Sequence, residues 1–159
     1  MRRKKMDSVR SKTSTEALVI NRVLKAPRER VFQAWTEAEQ IKQWFGPECV
    51  TTNDVTVDLK IGGAYRIEMT DEDGEKIVQR GVYREITPPE QLIFTWVLEG
   101  QHCLQGEEGV RETLVTVTFE EKDGETVLHL VHEGLPNEKT KAGHEYGWNG
   151  CLDSLAKTL

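Results

Sequence analysis

Apolar residues in the last sixteen positions recur at helical spacing, whereas most of the chain before them alternates as β-strands do. Trp148, Leu152, Leu155 and Leu159 stand at i, i+4, i+7 and i+11, a single stripe along a helix spanning His144 to Leu159. Such a stripe must bury itself against another apolar surface, and the strands upstream are the surface on offer. The pattern predicts a terminal helix laid across a curved antiparallel sheet, an arrangement that encloses a cavity suited to a ligand.

The rest of the chain supplies that sheet. Ala17 to Leu24 is a β-rich run ending at Ala26-Pro27, and Pro27 suits the first turn of a helix. Val31, Phe32 and Trp35 share one face of that helix, and Ile41, Trp44 and Phe45 continue in a second short helix until Gly46-Pro47 stops it. Strands follow at Val50 to Leu59, Ala64 to Thr70, Lys76 to Ile86, Gln91 to Leu98, Arg111 to Glu121 and Glu125 to His132, seven with the first. Asp-Gly pairs at Asp73-Gly74 and Asp123-Gly124 mark tight hairpins, and Thr87-Pro88-Pro89-Glu90 marks a rigid corner. Gln101 to Gly109 is a longer polar loop. The fold class is α+β: a seven-stranded antiparallel sheet curved around a long C-terminal helix, with two short helices after the first strand.

At 159 residues the chain has the size of one domain with a core that needs no cross-links. Residues 1–16 read as a basic flexible tail and 17–159 as the domain. Within the first twelve residues six basic side chains face one acid, while the chain as a whole carries −6. No aromatic residue interleaves this basic run and the body is acidic, which argues against nucleic acid as a partner. Three widely spaced cysteines, Cys49, Cys103 and Cys151, suggest free thiols in a reducing compartment. No apolar run has the length of a membrane span and the N-terminus lacks a signal core, so the expectation is a cytoplasmic protein with no membrane partner.

Signatures of catalysis are sparse. Three of the four serines, Ser8, Ser11 and Ser14, lie in the tail and Ser154 lies on the terminal helix, which leaves a serine hydrolase nothing to use. Gly62-Gly63 lacks dinucleotide spacing, and no phosphate-cradling loop is present, so no cofactor is expected. Asp71-Glu72-Asp73-Gly74 lacks the later ligands of a calcium loop, and His129 and His132 point to opposite faces of one strand, so no metal is expected either. An acid–base enzyme would need a pair such as His132 with Glu133 or His144 with Glu145. Aromatic residues on the helices and strands around the cavity either line it or fill it. Arg66, Glu68, Arg80 and Arg84 are expected on the outer face.

The segments Arg22–Thr36, Trp44-Phe45-Gly46-Pro47, Gly62-Gly63-Ala64-Tyr65, Gly81–Leu92 and Gly147-Trp148-Asn149-Gly150-Cys151-Leu152 resemble the activator of Hsp90 ATPase homologue 1-like family over about residues 18–159. That family belongs to the START-like, or Bet v 1-like (SRPBCC), superfamily, whose helix-grip fold wraps a seven-stranded sheet around a long C-terminal helix. The resemblance implies the architecture already reached from the residues. The fold hosts lipid carriers, cyclases, hormone receptors and chaperone-linked proteins, so membership does not name a ligand.

The favoured function is non-catalytic binding of a small hydrophobic or amphipathic molecule in the cavity. Trp35, Trp44, Tyr65, Trp96, Phe119 and Trp148 are its expected walls, with His132 and His144 as polar contacts. The resemblance implies an alternative, an Hsp90-linked co-chaperone or stress-response module, and a cyclase- or hydrolase-type enzyme is a third reading. An open edge strand would let two copies pair as a homodimer. Because the tail is too polar to offset its ordering entropy, deleting residues 2–14 is expected to leave the melting temperature unchanged. A loss of several degrees in a thermal melt would show instead that the tail packs on the domain.

Overall fold

The computed structural model describes residues 16–100 and 112–159. Seven strands form one antiparallel sheet: β1 (Leu18–Leu24), β2 (Val50–Val57), β3 (Ala64–Asp71), β4 (Lys76–Thr87), β5 (Gln91–Glu99), β6 (Thr113–Lys122) and β7 (Glu125–Glu133). Three helices complete the fold: α1 (Arg28–Thr36), α2 (Ala38–Trp44) and α3 (Glu138–Thr158). The sheet runs β1-β7-β6-β5-β4-β3-β2, a meander closed by β1 joining β7 at the far edge. It curves as a half-barrel around α3, the helix-grip arrangement. The basic tail up to residue 15 and the polar loop at 101–109 lie outside the described residues.

While β4 and β5 carry runs buried on both faces, residues 77–79 and 94–97, alternation within β1, β3, β6 and β7 selects the concave face. Tyr65, Ile67 and Met69 of β3, Val115, Val117 and Phe119 of β6, and Leu128, Leu130 and His132 of β7 are all buried there. Antiparallel pairing of Leu18 with His132, Val115 with His132 and Phe94 with Val115 keeps these inward residues level from strand to strand. The alternate residues face outward, and Arg66, Arg80 and Arg84 are exposed as expected. Exposed ion pairs, Arg66 with Glu68 and Arg80 with Glu99, join them to their neighbours.

Turn chemistry follows the sequence. Asp123 and Gly124 both take positive φ, 55° and 82°, which a two-residue hairpin with matching twist requires. Gly81 has a different task, since a Cβ there would lie 2.0 Å from the Thr95 carbonyl oxygen. It sits next to the irregularity in β4–β5 pairing between Tyr83 and Glu85, where β4 presses against β5.

The terminal helix is longer than the apolar stripe predicts, beginning at Glu138 and not near His144. Asn137 caps it by accepting a hydrogen bond from the Thr140 backbone N–H at 2.8 Å. Residues 138–143 carry no apolar stripe, and Asn137 after Pro136 was the available signal. From this helix Trp148, Leu152 and Leu155 are buried against the sheet, and Leu159 is partly buried. Arg22, on the concave side of β1, reaches across to Asn149 and to Asp153 of α3 at 3.2 and 3.0 Å.

The Gly81 contact generates a test. A methyl group at this position must push β4 off β5, a change expected to cost about 1–3 kcal/mol. Gly81→Ala should lower the melting temperature by several degrees, and an unchanged melt would mean that the bulge yields freely.

Candidate functional site

The space between sheet and α3 is an aromatic cluster. Trp148 of α3 lies at the middle, stacked on Trp35 of α1 with ring centres 5.9 Å apart and tilted on Trp96 of β5 at 4.8 Å. Trp35 also meets Trp44 of α2 at 4.8 Å, and Phe45, directly after α2, touches Trp44, Trp96 and Trp148. These rings leave a cavity of about 30 Å³, lined by Trp35, Trp44, Tyr65, Trp96 and Trp148, together with Ile41, Phe45, Ile67, Tyr83, Leu92 and Phe94. A second void of about 20 Å³ lies beyond Trp148 and Phe45, bordered by Pro47, Trp96, His144, Gly147 and Cys151.

Five of the residues expected at the wall, Trp35, Trp44, Tyr65, Trp96 and Trp148, therefore meet around one cavity. His144 borders the neighbouring void. Phe119 stands behind the wall, packed on Phe32 at 5.3 Å and on Trp35 at 6.1 Å. His132 is fully buried and borders neither void. Phe45, one of the aromatic residues expected to line or fill the cavity but not among the chosen walls, touches both.

The two histidines form a closed hydrogen-bond network with the tryptophans. His144 Nδ1 faces the Thr140 carbonyl at 3.0 Å, which only accepts, so Nδ1 carries the proton and Nε2 accepts from Trp96 Nε1 at 3.2 Å. Trp148 Nε1 donates to His132 Nδ1 at 3.1 Å, which leaves His132 Nε2–H to donate to Thr113 Oγ1 at 2.7 Å. Thr113 Oγ1 in turn donates to the Trp96 carbonyl at 3.3 Å. Every ring nitrogen is engaged, with both imidazoles neutral. Burial pushes His132 well below the ordinary 6.5, and the His144 ring nearby adds to the effect. Burial also lowers His144, against the opposing hydrogen bond to Thr140.

An open groove of about 760 Å³ runs outside, between the α2–β2 loop and α3. Trp44 and Phe45 border both this groove and the inner cavity. The loop is pressed on the helix, for a Cβ on Gly150 would come within 2.9 Å of Pro47 Cβ. Gly46 N–H donates to Cys151 Sγ at 3.1 Å. Cys151 is free and buried, and burial pushes its thiol up to about 12, which keeps it protonated and unreactive. Cys49 at the end of the same loop is disulfide-bonded, which corrects the expectation of a free thiol there. Cysteine usage therefore no longer argues for a reducing compartment. Cys103 lies outside the described residues.

With this geometry in view, the comparisons with known proteins become informative. The family model of activator of Hsp90 ATPase homolog 1-like proteins matches residues 25–159. The chain belongs to this family, and with it to the SRPBCC superfamily. Among solved structures, a protein of Chromobacterium violaceum is 28% identical, with a TM-score of 0.77 over 90% of this chain and 96% of the other. One from Rhizobium leguminosarum is 30% identical, with a TM-score of 0.69 over 89% of this chain and 91% of the other. The AHSA1 protein of Silicibacter pomeroyi, 23% identical over 89% of this chain and 96% of its own, shares the fold with a TM-score of 0.76. A search of curated proteins finds no match.

In this AHSA1-like chain neither His132 with Glu133 nor His144 with Glu145 comes together as an acid–base pair. Glu133 and Glu145 are exposed whereas His132 and His144 are buried, because neighbours in sequence leave a strand or helix in different directions. Among the described residues no three His, Cys, Asp or Glu side chains gather to hold a metal ion, and no helix is long and apolar enough to cross a membrane.

The lowered imidazoles make stability depend on pH. Above about pH 6.5 both histidines are neutral whether the chain is folded or not, and they impose no penalty. As pH falls through that value the unfolded chain binds protons that the folded chain refuses, so stability declines toward the folded-state values. The melting temperature should fall between pH 7 and pH 5, a window above ordinary carboxylate titration. The slope should weaken in His144→Gln, and equal slopes in the two proteins would contradict the assignment.

Proposed function

We propose that the chain binds a small apolar or amphipathic molecule, without catalysis, between the sheet and α3. The supporting observation is that Phe45 borders all three spaces: the outer groove, the inner cavity and the second void. As they stand the voids are too small for a ligand, since about 30 Å³ is room for a single water and ligand pockets span roughly 300–1,000 Å³. A ligand must therefore take the place of a side chain. Phe45 is the side chain with somewhere to go.

Its backbone position favours this movement. Phe45 follows the last turn of α2 and precedes Gly46, whose φ of 107° frees the chain from helical geometry. A change of rotamer carries the ring from its contacts with Trp96 and Trp148 toward the groove, and joins the two voids through the space vacated. The remaining walls are rings and aliphatic side chains, suited to a flat apolar body. His132 and His144 then act as supports that fix the indoles of Trp148 and Trp96, and not as proton donors to a substrate.

The test is thermal stabilisation by single-ring aromatic probes. At a probe concentration a hundred times its Kd, mass action stabilises the fold by about 2.7 kcal/mol, roughly 5–10 °C for a domain of this size. Phe45→Ala should lower the melting temperature of the free protein by removing a buried ring, and should raise affinity for the same probes by removing their competitor. If no probe shifts either protein, and the chain accelerates the ATPase of purified Hsp90 on mixing, the binding reading fails and the chaperone-partner reading replaces it.

A further inference from the structure

We infer that the molecule held in this cavity presents a hydrogen-bond acceptor to Trp35 Nε1–H and a donor to Gln79 Oε1, as a phenolic ketone does; the inference rests on the cavity reading above. It begins from what the four tryptophans do with their N–H groups. An indole N–H only donates, and a buried one normally finds an acceptor. Trp44 donates to the Ala34 carbonyl at 2.8 Å, Trp96 to His144 and Trp148 to His132. Trp35, only 5% exposed and part of the cavity wall, donates to nothing.

The sheet side carries the complementary deficit. Gln79 of β4 is fully buried on the concave face, level with Ile67, which lines the cavity. Its Nε2 donates to the hydroxyl of Tyr65, another lining residue, at 2.9 Å and to the Arg80 carbonyl at 3.3 Å. A carbonyl only accepts, which fixes the amide orientation and leaves Oε1 as the atom without a partner. Tyr65 cannot supply the missing proton, because its hydroxyl donates to the Thr95 carbonyl at 2.7 Å. Gln79 lies directly behind the wall, paired with Ile67 and bonded to Tyr65, whereas Arg28 Nε and Thr140 Oγ1, also unpaired, belong to residues with no such tie to the lining of the larger cavity.

An unpaired donor in the wall and an unpaired acceptor directly behind the wall residues Tyr65 and Ile67 thus accompany one otherwise apolar cavity. Leaving buried polar atoms unpaired is costly, and a ligand that pairs with them gains what the folded chain lacks. A site of this kind discriminates strongly against a hydrocarbon of the same shape, which fills the space and leaves both atoms unpaired. A purely apolar cavity has the opposite preference, since the hydrocarbon leaves water more readily. The sign of the preference therefore decides the question.

The experiment compares 4′-hydroxyacetophenone with 4-isopropenyltoluene, which has the same skeleton with CH₂ for the carbonyl oxygen and CH₃ for the hydroxyl. Affinities are measured by calorimetry on the full chain and on Phe45→Ala, and the four indole N–H resonances are followed by NMR with ¹⁵N-labelled tryptophan. The hydroxyketone should bind at least tenfold more tightly, and its complex should show the Trp35 resonance downfield of its position in the hydrocarbon complex, in which the ring currents of the ligand and of the displaced Phe45 are matched. Trp35→Phe and Gln79→Leu should each weaken the hydroxyketone about tenfold and leave the hydrocarbon within threefold, whereas a merely structural role would weaken both. A hydrocarbon bound as tightly as the hydroxyketone, or a Trp35 resonance at the same position in both complexes, would overturn this inference and leave the cavity reading standing. Binding of neither compound to either protein would overturn both.

Discussion

The packing of the Trp148 indole governs the concave side of the sheet. One face lies on Trp35 of α1, Trp96 of β5 meets it from the sheet, Phe45 meets it edge-on from the loop after α2, and its N–H is fixed by His132 of β7. A single side chain thereby ties the terminal helix to four other parts of the fold. Losing a buried ring of this size costs about 3–5 kcal/mol, against a total stability of about 5–15 kcal/mol for an ordinary domain. The neutral imidazoles follow from the same arrangement. Two indole N–H groups need two acceptors, and a protonated histidine would offer neither, so the donors would face each other in a dry interior.

How much of this is legible in the sequence depends on what each residue answers to. Strand positions could be read because an antiparallel sheet with one wet face imposes strict alternation, and residues such as Ile67, Met69, Val115 and Val117 obey it. Arg66 and Arg80 fall on the outer face for the same reason. The buried face of α3 could be read from Trp148, Leu152 and Leu155, but its first two turns could not, because they rest on the Asn137 cap and polar residues. His132 was expected at a ligand and instead holds Trp148 and Thr113, since the partner of an inward polar group is decided by neighbours far away in the chain. Gln79 was missed because a lone glutamine in a strand is unremarkable until its carbonyl oxygen is found without a donor. Phe45 was missed as a site residue because its importance comes from the spaces on either side of it, which no local pattern records.

The loop carrying Phe45 is seated by shape more than by strong bonds. Pro47 fits against α3 because Gly150 has no side chain, and any larger residue would lift the loop from the helix. The bond from Gly46 N–H to Cys151 Sγ is a weak one, sulfur being a poor acceptor. Thr52 Oγ1 donates to the Phe45 carbonyl from the start of β2, holding the backbone at the residue whose ring closes the cavity. In the proposed binding mode this backbone anchoring holds the loop in place while the ring changes rotamer.

On the binding reading, packing and reception of a ligand oppose each other at one residue. With Phe45 inward the aromatic cluster is nearly solid, and dispersion contacts among the rings stabilise the domain in the absence of a ligand. With Phe45 outward those contacts are lost, and the empty space would itself be destabilising unless an apolar body enters. In the proposed binding mode a ligand replaces a side chain that already fits, and its apolar surface gains only the difference between its own contacts and those of the ring. Polar pairing escapes this competition, because a phenyl ring satisfies neither Trp35 Nε1 nor Gln79 Oε1. In a self-filled cavity it is the few unpaired polar atoms, and not the many aromatic walls, that can distinguish a ligand from the protein's own side chain.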